Sequence, residues 1–370
     1  MVLKNLTLTN FRNLAKVNLE FSPVTVLLGK NAQGKSNILE GAYFLATTKS
    51  PRAERDSQLI KQGEEFARIE GSVSECQSVG ASENSDMQTP RNADILKLEI
   101  AMQRREGMEG VEKRVKVNGV AKRVTDYLGN LVAVHFAPED LNLVTGSPAL
   151  RRWHVDLTLA QVDRRYKNAL TQYHQALVSR NRILKNIKEG TAKLNELDYW
   201  TNLIVESGEV VSEKRRSFFK SLNEEAITLN NLGDLRFTYE ESEISAQRIR
   251  EYLSREVAAA TSLIGPHRDD FIFKQSGHDL AYFGSRGQQR IAVLALKLSE
   301  LKFMQTITGI KPLLILDDVF SELDEAARDF VAEVISDQQV ILSAVEKEHI
   351  PEKLKEGAKI IRVEKGKIIS

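Results

Sequence analysis

The chain has 370 residues, 42% of them hydrophobic, and 52 Lys and Arg against 51 Asp and Glu leave a net charge of +1. That length supports a large core and two lobes, and so balanced a charge means that any surface for polyanions has to be local. The single cysteine, Cys76, excludes an internal disulfide and a thiolate zinc cluster, while the lack of a leader-like N-terminus or a membrane-length apolar run points to the cytoplasm and to no membrane partner.

From the N-terminus, Leu6 and Leu8 alternate with polar residues, Val17, Leu19 and Phe21 do the same, and Val24 to Leu28 is a continuous apolar run. This predicts three successive strands. Ile38, Leu39, Ala42, Tyr43 and Ala46 then fall at helical spacing. Between strand and helix stands Gly29-Lys30-Asn31-Ala32-Gln33-Gly34-Lys35-Ser36. Its glycines let the backbone wrap a phosphate with N–H groups, and the following helix offers its positive end. Lys35 can neutralise the outer phosphates and Ser36 can ligate magnesium. A glycine-rich turn ahead of a helix is the alternative, but the full spacing in a strand–loop–helix context is specific.

Residues 67–73, 95–102 and 114–120 read as further strands, the last with an Asn118-Gly119 hairpin turn, so the first lobe carries antiparallel sheet. Residues 77–92 hold almost nothing that could anchor a core and are expected to be a disordered insertion. From about 150 to 255 the period changes. Val162, Tyr166, Leu170, Tyr173, Leu177, Leu184 and Ile187 lie on one helical face, and Leu203, Val210, Val211, Phe218, Phe219 and Leu222 suggest another helix. A helical lobe over 151–255 is therefore expected between sheet-forming stretches at 1–150 and 256–370. Its pattern is too short for an extended coiled coil.

The lobe opens with nine basic residues, Arg151, Arg152, Arg164, Arg165, Lys167, Arg180, Arg182, Lys185 and Lys188, against Asp156 and Asp163. This is the best electrostatic candidate for phosphate contacts, the alternative being a solvated helix face. Arg114, Lys116, Lys122 and Arg123 form a weaker cluster. Neither interleaves aromatics with cations, which favours backbone binding over base readout.

Strand and helix signals return after Gly265. Ser285-Arg286-Gly287-Gln288-Gln289-Arg290 opens an apolar helix, where amides and the Ser285 hydroxyl can take a phosphate or simply cap the helix. Leu313 to Leu316 reads as a buried strand ending in Asp317, placed to hold magnesium, and Asp318, placed to orient or deprotonate an attacking water. A helix over 325–335, a strand over 340–343 and a closing hairpin over 360–369 complete the chain.

These motifs, with Ser321-Glu322-Leu323-Asp324 after the carboxylates, resemble the ATP-binding-cassette superfamily of ATPases. More closely, the chain resembles the RecF family of bacterial recombinational repair proteins. The likeness is carried by Leu8-Thr9-Asn10-Phe11-Arg12-Asn13-Leu14, Thr47-Thr48-Lys49-Ser50, Ala137-Pro138-Glu139-Asp140-Leu141, Gly146-Ser147-Pro148 with Arg151-Arg152, and Gly265-Pro266-His267-Arg268-Asp269-Asp270. The resemblance implies an α/β P-loop ATPase head, a mixed sheet with an antiparallel part, plus an inserted helical lobe. It implies ATP and Mg2+ as cofactors, nucleotide contacts from Arg12, and a homodimer in which Ser285, Gly287, Gln288 and Asp324 act on the neighbour's ATP. Expected partners are duplex DNA and single-strand/duplex junctions, with RecR, RecO and RecA.

Some positions depart from the family pattern. Ser36 replaces the usual threonine but keeps the hydroxyl, and Pro51 and Ala53 flank Arg52 where His and Thr are usual. His154, in a departing Trp153-His154-Val155-Asp156, reads as a packing or surface histidine. Ala344-Val345-Glu346 lacks the phosphate-sensing histidine of transporter ATPases, and Asp318 is shorter than their glutamate. Both point to a weak ATPase used as a timer. Glu139 is the candidate for the role of the magnesium-sensing glutamine. A transporter ATPase subunit and a chromosome-organising ATPase head are the competing readings; the missing histidine counts against the first and the short helical lobe against the second.

Overall fold

The computed structural model describes residues 1–74, 95–105, 110–228, 234–335 and 337–369. The expected insertion at 77–92, and Cys76, lie outside them. The chain begins with β1 (Val2–Phe11), β2 (Leu14–Glu20), β3 (Val24–Leu28) and helix α1 (Lys35–Thr47), followed by β4 (Phe66–Ser74), β5 (Ile95–Arg104), β6 (Val111–Val117), β7 (Val120–Lys122) and β8 (Ala133–Phe136). Next come α2 (Pro148–Val162), α3 (Arg164–Lys188), α4 (Asp198–Thr228), β9 (Leu235–Glu240), α5 (Ala246–Ala259), β10 (Asp270–Gln275) and β11 (His278–Asp279). Helix α6 (Arg286–Thr308), β12 (Leu313–Asp317), α7 (Glu325–Val334), β13 (Val340–Ala344), β14 (Lys359–Glu364) and β15 (Lys367–Ile369) follow.

The chain divides into two compact units, Met1–Pro138 with Met304–Ser370, and Glu139–Phe303. The first holds two sheets. One is antiparallel in the order β2-β1-β4-β5-β6-β7, with Asn118 and Gly119 both left-handed at the β6–β7 turn. The other runs β15-β14-β3-β13-β12-β8, with β14 to β8 parallel and β15 an antiparallel edge. Continuous apolar runs such as Leu313 to Leu316 suit strands covered on both faces. Helix α1 packs against strands of both sheets, so it is buried nearly all round, Glu40 included, and lacks a polar stripe. The expected closing hairpin is present, and β14 also pairs with β3, which draws it into the parallel sheet.

The second unit pairs α3 with α4 around Tyr173, Ala176, Ile204, Ile244, Ile249 and Ile264. Two expectations change here. The helical face drawn from Val162 onward breaks at Asp163, whose carboxylate accepts from the Tyr166 amide and caps α3. Within the stretch read as helical, β9 pairs with β10 in a three-stranded antiparallel sheet, β11-β10-β9. Phe219 of α4 stacks on Tyr239 and meets Phe271, joining helix to sheet. This packing lies within the compact unit Glu139–Phe303.

Candidate functional site

Parallel register brings three strand ends together. β13 lies between β3 and β12, so the loop after β3, Ser343 in β13 and Asp317 at the end of β12 share one edge of the sheet, the edge where open α/β sheets take ligands. The loop is built closely: a Cβ on Gly29 would sit 2.4 Å from the Val363 carbonyl oxygen, and Gly34, at φ 105, precedes the first residue of α1. Only glycine satisfies the first position, and the second strongly favours it. Asn31 and Ala32 are exposed at the loop tip, Ala32 with a φ of 61, and Lys30 is exposed beside them.

Lys35 is buried, with Nζ donating to the carbonyls of Gly29 (2.5 Å) and Lys30 (2.9 Å). Burial lowers its pKa from the usual lysine range, while the charges of Asp318 and Asp317 pull it back up. Ser36 Oγ donates to Asp317 Oδ1 at 3.0 Å. Ser343 Oγ donates to the same oxygen at 2.7 Å and accepts from the Asp318 amide at 2.9 Å. Asp318 itself is left-handed, φ 54, a costly conformation for a residue with a Cβ. Sequence reasoning missed Ser343, although a hydroxyl near the end of the apolar run Val340-Ile341-Leu342 was the available signal.

Arg12, expected at the nucleotide, places its guanidinium on Glu40 (Nη2 2.6 Å, Nε 2.9 Å), and Arg52 reaches the same carboxylate at 2.7 Å. Burial pushes Glu40 up, but hydrogen bonds from Arg12 and Ser50 and the charge of Arg52 outweigh it and hold the carboxyl below its usual range. Arg12 and Arg52 still line a cavity of about 930 Å³ with Asn13 and Asn37, so cations and amides face one space beside the loop. Glu40, a lone acid within Ile38-Leu39-Glu40-Gly41-Ala42, was the overlooked clue.

In the second unit, Ser285 and Gln288 form a reciprocal cap on α6: the Ser285 amide donates to Gln288 Oε1 (2.8 Å) and the Gln288 amide to Ser285 Oγ (3.2 Å). Ser285, Arg286, Gly287 and Gln288 are nonetheless exposed. Asp324, in the first unit, is likewise exposed while capping α7 through the Ala327 amide at 2.8 Å. Both segments are therefore caps whose outer surface is open. Glu139 is exposed on the 138–141 turn, and the neighbouring Asp140 accepts from buried Lys297 at 3.1 Å. His154 is buried, 2.5 Å from Glu300, which makes it a packing histidine.

The basic cluster needs correction. Arg180 is fully buried, paired with Glu256 at 2.6 Å and Ser262 at 2.7 Å. Arg151 is buried in a two-pronged pair with Asp270 (2.6 and 2.7 Å), Arg152 donates to the Asp269 carbonyl, and Lys167 is buried. Buried cations need buried acceptors, and those acceptors lie far away in sequence. Arg164, Arg165, Arg182, Lys185 and Lys188 remain exposed on α3. A second buried centre stands nearby: Arg215 donates to Asp156 (2.6 Å), Asp269 (2.7 Å) and the Pro266 carbonyl (2.8 Å), tying the Gly265 to Asp270 motif to α2 and α4.

The family model for the RecF/RecN/SMC N terminal domain matches residues 2–369. DNA replication and repair protein RecF of Staphylococcus aureus (strain JH9) is 36% identical over 393 aligned residues, covering 100% of both chains. Among solved structures, the recombination mediator protein RecF with ATP, in the RecFOR pathway, superposes with a TM-score of 0.86 at 29% identity, covering 99% of this chain and 96% of that one. The Smc head domain of Pyrococcus furiosus, at 19% identity and a TM-score of 0.52 over 99% and 95%, shares the fold. With a domain model matching almost every residue and a full-length relative at that identity, the chain belongs to the RecF family.

Proposed function

We propose that the chain is an ATP-controlled DNA-binding protein of recombinational repair. Two copies close on two ATP molecules, the closed dimer grips duplex DNA beside single-strand gaps, and slow hydrolysis opens it. The observation that carries the nucleotide half is the meeting of Lys35, Ser36, Asp317 and Asp318 at one sheet edge, the two aspartates linked through Ser343. Loop amides and the start of α1 would take the phosphates, and Lys35 would exchange the carbonyls of Gly29 and Lys30 for phosphate oxygens, stronger acceptors for an ammonium.

Ser36 Oγ and Asp317 Oδ1 stand 3.0 Å apart. That matches the edge of an octahedral Mg2+ shell with metal–oxygen distances of about 2.1 Å, so these two groups fit the ion. When bound, Mg2+ would neutralise charge on the outer phosphates. Asp318 would orient the attacking water, and with Ala344 following Ser343 no histidine assists it, which favours a slow switch. The exposed Ser285 to Gln288 and Asp324 surfaces would meet the neighbour's nucleotide. The cations still exposed on α3 would follow the DNA backbone. The solved relative's place in the RecFOR pathway supports RecO and RecR as partners, and RecA stays as the family resemblance implies it.

The test is DNA binding to duplex, single-stranded and gapped substrates with and without MgATP. Wild type should bind tightly only with MgATP, and Lys35→Met should not respond to it. Equal wild-type affinity with and without nucleotide would contradict the switch.

A further inference from the structure

Gln33 holds the phosphate loop to the far end of the chain. Its main-chain oxygen accepts from the Gly366 amide at 2.8 Å and its side-chain Oε1 from the Lys365 amide at 2.7 Å. Lys365 and Gly366 are consecutive left-handed residues, φ 48 and 73, in the turn between β14 and β15. Two successive amides in a tight turn can present donors to one side, and here both are taken by a single residue, 332 positions from Lys365. The same hairpin meets the loop again at its start, where the Val363 carbonyl leaves no room for a Cβ on Gly29.

Peptide planarity turns these contacts into a constraint on the phosphate cradle. The Gln33 carbonyl points at Gly366, and in a trans peptide the next amide, that of Gly34, points the opposite way. Anchoring one oxygen therefore aims one N–H. The side-chain bond to Lys365 adds a second fixed point, so the Gln33–Gly34 peptide cannot rotate freely.

On this geometry we propose that the β14–β15 turn is a clamp on the phosphate loop, and that Gln33 is a positioning residue through which nucleotide binding and the turn stabilise each other. The proposal rests on the ATP reading and extends it. It assigns the clamping to main-chain amides, so the lysine charge at 365 is dispensable. Linkage makes the effect reciprocal: a turn that favours the bound loop must itself be steadied by bound nucleotide.

The experiment measures ATP and ADP affinity, steady-state turnover and site-resolved amide exchange on the full chain. Gln33→Met keeps side-chain length but loses both the acceptor for Lys365 and the long 3.3 Å bond from Nε2 to the Asn31 carbonyl, and should weaken both nucleotides about fivefold or more, raising KM while kcat at saturation holds. Lys365→Ala keeps its amide and should stay within about twofold of wild type. In wild type, ADP should slow exchange at Lys365 and Gly366; in Gln33→Met that protection should shrink. Wild-type nucleotide binding with an unprotected turn, unchanged affinity in Gln33→Met, or an equal loss in Lys365→Ala would each overturn the clamp while leaving the ATP reading intact. A wild-type chain that bound neither nucleotide would bring down both.

Discussion

Ser343 donates a 2.7 Å hydrogen bond to Asp317 and, with the same oxygen, accepts the amide of Asp318. One hydroxyl from β13 thus fixes the carboxylate proposed to hold magnesium and the left-handed backbone of the carboxylate proposed to orient water. Removing it would free both. A hydrogen bond to a charged group contributes about 1.5–3 kcal/mol. Ser343→Ala is therefore expected to lower MgATP turnover roughly tenfold or more and to raise the magnesium concentration needed for half-maximal rate, while Ser343→Thr retains most activity. Steady-state kinetics across a magnesium titration check this; a normal magnesium response in Ser343→Ala would remove the residue from the site.

The basic cluster on α2 and α3 separates into cations that hold the fold and cations that face water. Breaking a buried pair such as Arg180–Glu256 leaves an unpaired charge and costs about 3–5 kcal/mol. Arg180→Met should lower stability by that order in chemical denaturation yet leave DNA affinity unchanged under folding conditions. Replacing Arg182, Lys185 and Lys188 together by alanine should do the reverse: little change in stability, weaker DNA binding, and a log–log salt slope shallower by about 2–3. Binding isotherms at several salt concentrations distinguish the two sets.

His267 gives the second unit a pH-sensitive contact. The Ser262 carbonyl can only accept, so His267 Nε2 donates to it at 3.1 Å, and Nδ1 accepts from the Tyr173 hydroxyl at 2.6 Å. Burial, with the charges of Arg268, Arg152 and His174, pushes the imidazole down to about 4 from an ordinary 6.5, although the Ser262 bond pulls the other way. Between those values the unfolded chain binds the proton and the folded chain does not. The contribution is complete above pH 6.5 and is lost as pH falls toward 4, with a magnitude of about 3 kcal/mol. Denaturation at a series of pH values should show a flatter profile for His267→Gln than for wild type in that window.

What was legible in the sequence was local. The phosphate loop, the Asn118-Gly119 turn and the strand ending in Asp317 are set by a few adjacent residues, and each stands where its spacing predicted. Arg151 and Arg180 were misread because their partners, Asp270 and Glu256, are 119 and 76 residues away and only tertiary packing brings them together. The strand β9 was different: Leu235, Phe237 and Tyr239 alternate with polar residues, yet the surrounding helical period masked them. Ser285 and Asp324 carried two readings, cap and ligand, and both segments are caps with exposed outer surfaces, so composition alone could not separate the two.

Ser285 is proposed to act on nucleotide held by the phosphate loop of a second copy. Mixing two defective variants tests it most directly. Lys35→Met should neither bind ATP nor dimerise, and Ser285→Arg should bind ATP without dimerising. A mixture of the two contains one composite site with an intact phosphate loop from one chain and an intact Ser285 from the other. Sedimentation with MgATP is predicted to show a dimer in the mixture and monomers in each variant alone. Monomers in the mixture, or a normal dimer from Ser285→Arg by itself, would contradict action across the two copies.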